Sequence, residues 1–490
     1  MNGRHEEEIR IYERSARLIL LLALRDVCPG AKLRVEHSIG QGVYMNVSGV
    51  SLTAALVRQI EQRMQEIVSA DLPIEKSRWS REEAIEYFGD LGQQDTVRLL
   101  RYRPFDYFNV YTCDGLSEYF YGEMAPSTGA IRSFVLRFYY PGMVLLLPGD
   151  DLSGPPAPFA ERPQLMRTYA EANECSRILQ CESAADLNDI IARGDARTFI
   201  RVNEALHDRT IAHIAERIIA RGARIVFVAG PSSSGKTTFA NRLSIHLRVS
   251  GKQPVAISLD NYYLNRDKVP LGPDGKPDLE CLESIDVPLF NEQLVELLAG
   301  REVELPRYSF KTKAREPQGV KLSVTEDQIL IVEGIHGLND QLSADIPSEL
   351  KFRVYVSALT QLNLDGHNRI RTTDVRLMRR MVRDFRSRHT SALETMEMWD
   401  KVRGGEETYI FPFQERADVM FNSSLLYEIA VLKKYAYPML EKITEDSPYY
   451  VRARRLVKFL NYFMDCDTEN EIPPTSILRE FIGGCTFYDE

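Results

Sequence analysis

The sequence lacks an apolar run long enough to cross a membrane. Its most apolar early stretch, "LILLLAL" at 18–24, lies between Arg17 and Arg25, and a spanning helix needs roughly 20 such residues. No signal-peptide cleavage pattern accompanies it. We therefore interpret the stretch as a core helix, and we expect no membrane partner.

The chain also has few cysteines and no excess of positive charge. Its seven cysteines are odd in number and irregularly spaced, which favours thiols in a reducing compartment over a disulfide framework and predicts a cytoplasmic location. The formal net charge is -9 at pH 7, so nucleic acid is not an expected partner. No internal repeat and no "NKxD"-type guanine-recognition motif occurs in the chain.

The length of 490 residues predicts more than one domain. A cluster of proline, glycine and acidic residues, "PGDDLSGPPAPFAERPQ", marks a linker. We predict an α+β accessory domain at 1–150, a linker and helical connector at 151–222, an α/β domain at 223–424 and a helical tail at 425–490. In the α/β domain, strand-like runs alternate with helical segments, which predicts a parallel sheet flanked by helices.

A phosphate-binding loop opens the α/β domain. The residues "GPSSSGKT", Gly230 to Thr237, match the phosphate-loop pattern. Before the loop, "RIVFVAG" predicts a buried strand, and after it "TFANRLSIHLRVSG" has helical spacing and ends at Gly251. Because a strand, a glycine loop and a helix follow in the order that the motif requires, a turn that binds nothing is the weaker alternative.

The loop is expected to bind ATP and Mg²⁺. Its glycines let backbone N–H groups converge on phosphate oxygens at a helix N-terminus. Lys236 would reach the outer phosphates, and the Thr237 hydroxyl would ligate Mg²⁺. The predicted nucleotide-binding residues are Gly230, Ser232, Ser233, Ser234, Gly235, Lys236, Thr237, Thr238 and Arg379.

Two acidic residues follow later strand-like runs. "PVAISLD" ends in Asp260, and "QILIVEG" contains Glu333. Because the carboxyl ends of strands line the ligand crevice of open α/β sheets, both carboxylates are expected to face the phosphates. Asp260 is predicted to accept the proton of an attacking hydroxyl or to orient it, and Glu333 to hold Mg²⁺ or its water shell. A helix cap or a solvated loop charge is the alternative for each acid.

An arginine-rich run, "RIRTTDVRLMRRMVRDFRSR", carries eight arginines between Arg369 and Arg388. Their spacing is mostly helical, and two interpretations compete: a solvated or RNA-binding face, and a lid that folds over the nucleotide. Guanidinium groups bind phosphate in a bidentate manner and stabilise charge on a phosphoryl group in transfer. The acidic chain and the position of the run after the predicted Mg²⁺ strand favour the lid.

Seven blocks of sequence resemble the uridine kinase family, within the wider group that contains phosphoribulokinase and pantothenate kinase. In order they are "GPSSSGKTT", "SLDNYY", "SIDVP", "LPRYSFKTKARE", "ILIVEGIHGL", "RLMRRMVRDFRSR" and "ERADVMFNSS". They cover Ile225 to about Asn422. The resemblance implies an ATP- and Mg²⁺-dependent phosphotransferase of nucleoside salvage that acts on the 5′-hydroxyl of a uridine-like nucleoside.

The same resemblance implies roles for the matching residues. Asp260 would be the catalytic base, with Lys236 and Arg383 as further catalytic residues, and Asp286 would bind the ribose. The implied substrate site also contains an aromatic wall around the base, a lysine on the base side and an arginine of the lid. Its residues are Asp260, Tyr263, Asp286, Tyr308, Phe310, Lys313 and Arg383. Thr237 and Glu333 would be the metal ligands.

Two departures from the family leave the acceptor open. Lys313 stands where uridine kinases carry a base-contacting histidine, and Ile285 stands where they place a phenylalanine. A lysine only donates hydrogen bonds, whereas an imidazole can also accept them. The turn-rich insertion "LNRDKVPLGPDGKPDLE" near the acceptor is a further source of altered specificity. A kinase of another small hydroxyl compound, such as a phosphopentose, is therefore an alternative.

Two N-terminal segments, "VEHSIGQG" and "EYFYGEMAPSTGAI", resemble the second N-terminal domain of threonyl-tRNA synthetase. That fold pairs an H-x-x-x-H motif with a later cysteine and histidine, but here only His37 remains, with Gln41, Phe120 and Met124 at the other positions. One imidazole is too few for a zinc site, so we expect a structural histidine and no editing activity. The N-terminal resemblance and the arginine run support a second hypothesis, an NTP-dependent tRNA- or RNA-associated factor, and homo-oligomerisation stays open.

Overall fold

The structure, a computed structural model, describes residues 3–156, 158–272, 275–309 and 311–488. The chain forms two compact units. The first contains Met1–Ala196, Thr360–Asp374 and Leu426–Asp467, and the second contains Arg197–Leu359, Val375–Leu425 and Thr468–Glu490. The chain thus enters the second unit three times, and the domain boundaries expected from the sequence remain predictions.

The helices and strands of the described residues are numbered in chain order. The α-helices are α1 (Gly3–Val27), α2 (Ala54–Ser69), α3 (Arg81–Asp90), α4 (Gln94–Tyr102), α5 (Pro163–Ile178), α6 (Ala184–Ala192), α7 (Ala196–Arg221), α8 (Lys236–Val249), α9 (Val287–Leu298), α10 (Thr372–Arg388), α11 (Ala392–Tyr409), α12 (Glu428–Glu441), α13 (Tyr450–Leu460) and α14 (Arg479–Ile482). The strands are β1 (Lys32–Ile39), β2 (Gly42–Ser48), β3 (Glu75–Ser80), β4 (Tyr107–Cys113), β5 (Leu116–Tyr119), β6 (Val135–Tyr139), β7 (Gly142–Leu146), β8 (Ile225–Ala229), β9 (Gln253–Ser258), β10 (Val303–Leu305), β11 (Tyr308–Ser309), β12 (Ala314–Arg315), β13 (Val320–Leu322), β14 (Gln328–Glu333), β15 (Lys351–Ser357) and β16 (Val419–Asn422).

The first unit is an α+β structure with two antiparallel sheets. One sheet has the order β1-β2-β7-β6 and the other β3-β4-β5. The apolar run of α1 is buried in the core, with Leu18 and Leu22 fully inaccessible to solvent. The run is therefore a core helix, as its length and sequence predict. None of the helices in the described ranges has both the length and the apolar character that crossing a bilayer requires.

The second unit contains the predicted parallel sheet. Its five strands have the order β16-β15-β8-β14-β9, and all neighbours are parallel. The central strand β8 is buried along its whole length, as expected for a strand covered by helices on both faces. In register, Glu333 of β14 lies opposite Val228 of β8 on one side and Ser258 of β9 on the other. The carboxyl ends of these three strands therefore adjoin one another.

Local sequence signals explain where the helices around this sheet begin. Helix α8 starts directly after the glycine loop, with Gly235 at its N-cap. Asp286 caps the start of α9, because its side chain accepts a hydrogen bond from the backbone of Leu289, and a proline occupies the first turn. The Ser391 and Glu394 side chains form a capping box at the start of α11. The predicted fold class, a parallel sheet flanked by helices with a separate α+β region, is confirmed.

Candidate active site

The phosphate loop adopts a backbone shape that two glycines make accessible. A Cβ atom on Gly230 would lie 1.9 Å from the carbonyl oxygen of Val356. Gly235 has a φ of +83°, and Ser233 also lies in the left-handed region with a φ of 58°, which is unfavourable for a residue that has a side chain. Alternating right- and left-handed residues of this kind form concavities of N–H groups that bind anions.

The polar groups of the loop suit a phosphate ligand. The hydroxyl oxygens of Ser233 and Ser234 are buried without a hydrogen-bond partner among the described residues. The Lys236 ammonium donates one long bond, 3.3 Å, to the carbonyl of Pro231. Because a buried polar group without a partner costs free energy, a ligand that supplies acceptor oxygens would stabilise this loop. The residues present thus fit the triphosphate of a nucleotide.

A buried ion pair binds the backbone of the phosphate loop. The Ser232 amide donates to a carboxylate oxygen of Glu406 at 3.0 Å, and Arg376 donates to the Ser232 carbonyl at 3.0 Å. Arg376 and Glu406 are themselves paired, and each side chain is only 1% exposed. Arg376 belongs to the arginine run noted in the sequence, but no pattern identifies Glu406, which reaches the loop from α11.

Other arginines of α10 lie on or near the same loop. Arg380 donates to the Ser232 hydroxyl at 2.9 Å. Arg379 is fully buried and donates to the Ser423 carbonyl at 2.8 Å, whereas Arg383 pairs with Asp384 at 3.2 Å. The burial of Arg379 is incompatible with a solvated arginine face at this position. The nucleotide role of Arg379 and the lid role of Arg383 remain predictions.

The structure brings the predicted acids to the mouth of the loop. Glu333 ends β14, and the Thr237 side chain favours its ionised form. Burial raises the pKa of Glu333 to about 7, the nearby Lys236 ammonium opposes that rise, and the Asp260 carboxylate adds to it. Lys236, Thr237, Glu333 and Asp260 therefore form one electrostatically coupled group.

Asp260 lies two residues beyond β9, in the 3-10 turn Leu259–Tyr262. The Ser258 hydroxyl accepts a hydrogen bond from the Asp260 amide at 3.3 Å, which fixes the start of this turn. Asp260 is exposed to solvent. The surrounding protein atoms nevertheless desolvate its carboxyl group and raise its pKa, whereas the positive charges of Lys236 and Arg388 act to lower that pKa. A carboxylate beside two cations is suited to accept a proton from a substrate hydroxyl.

The acceptor side of the crevice contains the predicted aromatic wall in part. The rings of Tyr263 and Tyr308 have centroids 5.6 Å apart, and the Asp260 carboxylate is close enough to raise the pKa of Tyr263, in addition to the larger effect of burial. Phe310, the third predicted aromatic residue, lies outside the described residues. Lys313 is exposed in the turn between β11 and β12, and its amide donates to the Ser309 carbonyl at 2.7 Å.

Arg315 is a site residue that the sequence analysis missed. It donates to the Asp286 carboxylate at 3.0 Å and to the backbone carbonyls of Tyr262 and Tyr263 at 2.9 and 3.0 Å. It thereby ties the predicted ribose-binding aspartate to the segment that carries the aromatic wall. The block "KARE" contained the residue, but only the fold shows which groups its guanidinium joins.

The donor set at the loop suits Mg²⁺ carried by a nucleotide. Among the described residues, no group of three or more His, Cys, Asp or Glu side chains could hold a metal ion. A Mg²⁺ ion that arrives with phosphates needs only one or two protein ligands, because phosphate oxygens and water fill the remaining positions. Thr237 and Glu333, whose side chains interact electrostatically, are two such ligands and meet this requirement.

We expect the affinity for Mg²⁺ to increase as pH rises from 6 to 8. With a pKa of about 7, Glu333 is mostly protonated at pH 6 and mostly ionised at pH 8, and only the carboxylate ligates the ion. The Mg²⁺ activation constant at a fixed ATP concentration should fall roughly tenfold over this range. The Glu333→Gln variant, assayed in parallel, corrects for the titration of ATP itself. An identical pH dependence in both proteins would contradict the role of Glu333.

In the first unit, His37 has the surroundings of a structural histidine. Its ring stacks on Tyr169 with centroids 3.5 Å apart, and its Nδ1 atom lies 3.2 Å from the Ser38 carbonyl oxygen. Burial lowers the pKa of His37 to about 3, so the ring is neutral at physiological pH. Phe120 is part of the hydrophobic core. These contacts agree with the expectation that His37 has a packing role.

The sheet order, the glycine loop and the acids at adjoining strand ends define the class of the second unit as a P-loop kinase fold. The sequence profile of the family described as "Phosphoribulokinase / Uridine kinase family" matches residues 225–429. The uridine kinase of Klebsiella pneumoniae is 30% identical over 199 residues, which are 40% of this chain and 85% of that protein. The uridine kinase of Schizosaccharomyces pombe is 31% identical over 193 residues, 39% of this chain and 38% of that protein.

Among solved structures, a possible uridine kinase from Bacillus stearothermophilus is 21% identical with a TM-score of 0.31, over 44% of this chain and 100% of that chain. The chain belongs to the phosphoribulokinase and uridine kinase family. It is a nucleotide-dependent phosphotransferase with a hydroxyl acceptor. The resemblance of the seven sequence blocks to this family is thereby confirmed.

Proposed function

We propose that the protein transfers the γ-phosphate of ATP to the 5′-hydroxyl of a uridine-like nucleoside. The observation that carries the proposal is the coupled group of Lys236, Thr237, Asp260 and Glu333 at the mouth of the phosphate loop. The aromatic pair next to Asp260 supports an acceptor with a planar base. The matched relatives, which are named uridine kinases, support a nucleoside.

In the proposed mechanism, the loop amides and Lys236 hold the phosphates, and Thr237 with Glu333 holds Mg²⁺. Held there, the ion would supply positive charge that offsets the negative charge of the phosphates. Asp260 accepts the proton of the 5′-hydroxyl as its oxygen bonds to the γ-phosphorus, and the bond from that phosphorus to the bridging oxygen breaks and releases ADP. Lys236 favours the ionised form of Asp260, so the base is ready when the acceptor binds.

The acceptor is proposed to bind between the aromatic wall and Asp286. Tyr263 and Tyr308 would stack on the base, with Phe310 as a further aromatic contact. Arg315 would hold the Asp286 carboxylate toward the ribose hydroxyls, since it already anchors that carboxylate. Lys313 would contact the base as a hydrogen-bond donor, and Arg383 would close over the reacting phosphate after leaving Asp384.

An acceptor panel tests this proposal. Purified protein is incubated with ATP, Mg²⁺ and either single nucleosides or sugar phosphates, and both ADP and the phosphorylated product are measured by mass. We expect a uridine-like nucleoside monophosphate as the main product. Phosphorylation of a phosphopentose and of no nucleoside would contradict the acceptor assignment while leaving the kinase class intact.

The region at 1–150 is proposed to be an accessory domain that is similar to the second N-terminal domain of threonyl-tRNA synthetase and lacks its zinc site. This proposal rests on the two sequence segments quoted above and on the packing of His37 between aromatic rings. The kinase domain is proposed to extend over 223–424.

A cytoplasmic location is proposed because no disulfide joins the seven cysteines, all of which lie in described segments.

A further inference from the structure

A C-terminal segment of the second unit lies directly on the phosphate loop. This segment, residues 476–488, is called the strap below, and it includes α14. Ile477 and Phe481 are fully buried. A Cβ atom on Gly235 would lie 2.5 Å from a methyl carbon of Ile477, and the Arg379 guanidinium lies 5.0 Å from the centre of the Phe481 ring. The strap is therefore a packed element of this unit.

The strap places a carboxylate at the start of α8. The Thr238 hydroxyl, in the first turn of that helix, donates to Glu480 at 2.7 Å and lies 2.9 Å from the Tyr488 hydroxyl. The first turn of a helix that follows a glycine loop is the place where phosphate oxygens bind, because its N–H groups and dipoles favour negative charge. A Glu480 carboxylate oxygen thus has the same chemical character there as a phosphate oxygen.

The charge of Glu480 also acts on the rest of the site. Together with burial and Asp260, it raises the pKa of Glu333, and it contributes to the raised pKa of Tyr488. The negative charge of Glu480 disfavours ionisation of a second carboxyl group nearby. For the same reason it disfavours binding of the negatively charged triphosphate of a nucleotide at that place.

Glu480 further holds two arginines of α10. The Arg383 guanidinium lies 3.8 Å from its carboxylate, and Arg386 donates to its backbone carbonyl at 3.3 Å. These arginines are the side chains that could otherwise turn toward a phosphate. The strap therefore supplies both a substitute anion at the loop and a partner for the cations of α10.

We propose that the strap is an autoinhibitory contact in which Glu480 competes with the phosphates of ATP. Binding of ATP displaces the Glu480 carboxylate from Thr238 and frees Arg383 and Arg386 to face the nucleotide. The inference rests on the proposed function, because it takes the first turn of α8 as part of the nucleotide site. It implies that any factor that lifts the strap activates the enzyme.

The test compares Glu480→Gln with Glu471→Gln in the full-length protein. Glutamine keeps the shape of residue 480 and can still accept the Thr238 hydrogen bond, but it carries no charge. Glu471 lies just before the strap in the chain and pairs with Arg197 and Arg201, so its variant controls for loss of one negative charge outside the strap. We expect Glu480→Gln to bind MgATP about tenfold more tightly by titration calorimetry, as for removal of one partly buried like charge, and Glu471→Gln to bind as wild type.

Amide hydrogen exchange gives a second measurement that does not depend on a substitution. If ATP displaces the strap, exchange at 476–488 should increase when MgATP is added to the wild-type protein. Slower exchange there, or a wild-type affinity in Glu480→Gln, would overturn the inference, because the strap would then complete the nucleotide site. If neither the wild-type protein nor Glu480→Gln bound MgATP, the proposed function would be contradicted as well. If the two bound MgATP with equal and measurable affinity, only the autoinhibitory role of the strap would be contradicted.

Discussion

Replacement of Asp260 by asparagine is expected to lower turnover by about 10²- to 10⁴-fold, the usual contribution of a positioned general base. The side chain keeps its size in this variant but can no longer accept the proton of the acceptor hydroxyl. The phosphate loop does not depend on Asp260 for its shape, since its backbone is held by Arg376 and Glu406. The affinity for MgATP should therefore stay within a few-fold of wild type.

The matched control for this variant is Asp267→Asn. Asp267 is an exposed residue of the turn-rich insertion near the acceptor, so its variant makes the same chemical change outside the coupled group. Turnover is measured with saturating ATP and the best acceptor of the panel, and MgATP binding is measured separately. Near wild-type turnover of Asp260→Asn would remove the base assignment, and a parallel loss of MgATP binding would indicate a structural role.

Replacement of Glu406 by glutamine is expected to destabilise the second unit by about 3–5 kcal/mol, the cost of leaving a buried charge without its partner. Arg376 is 1% exposed and cannot reach water when Glu406 loses its charge. Burial lowers the pKa of Arg376, and the Glu406 carboxylate opposes this effect in the native protein. The loop should lose order together with the pair, so the affinity for MgATP should also fall.

The neighbouring residue provides the control for this prediction. Glu407 also pairs with Arg403, but its side chain is 53% exposed, so Glu407→Gln should cost less than about 1 kcal/mol. Trp399 lies 5.4 Å from the Arg376 guanidinium, and its fluorescence in a Trp79→Phe background reports unfolding of the second unit. Equal denaturation midpoints for the two variants would contradict the proposed support of the loop.

The sequence predicts those parts of the fold and site that depend on neighbours along the chain. The strand, loop and helix around Gly230–Thr237 have local signals: a short apolar run, the glycines and a helical periodicity. Asp260 and Glu333 follow similar apolar runs, and the rule that carboxyl ends of parallel strands line one crevice brings them together. The register of β14 with β8 and β9 shows that these strand ends do adjoin.

Contacts between distant residues could not be predicted in this way. Glu406 reaches the loop from a helix more than 170 residues later, and nothing in its own surroundings in the sequence differs from an exposed helical glutamate such as Glu407. The strap is similar, because a short acidic and apolar segment near the C-terminus has no pattern that points to Thr238. The surroundings of Arg379 are also set by distant residues, since its buried guanidinium donates to the Ser423 carbonyl and lies near the Phe481 ring; its nucleotide role stays a prediction.

The fate of the γ-phosphate tests the central claim most directly. The protein is incubated with ATP labelled in the γ-phosphate, Mg²⁺ and uridine, with and without added tRNA, and the products are separated by chromatography. We predict that the label appears in the 5′-phosphate of a nucleoside monophosphate and that tRNA has no effect on its rate of appearance. Label that appears only in inorganic phosphate, and only when tRNA is present, would contradict the kinase and support an RNA-associated NTPase.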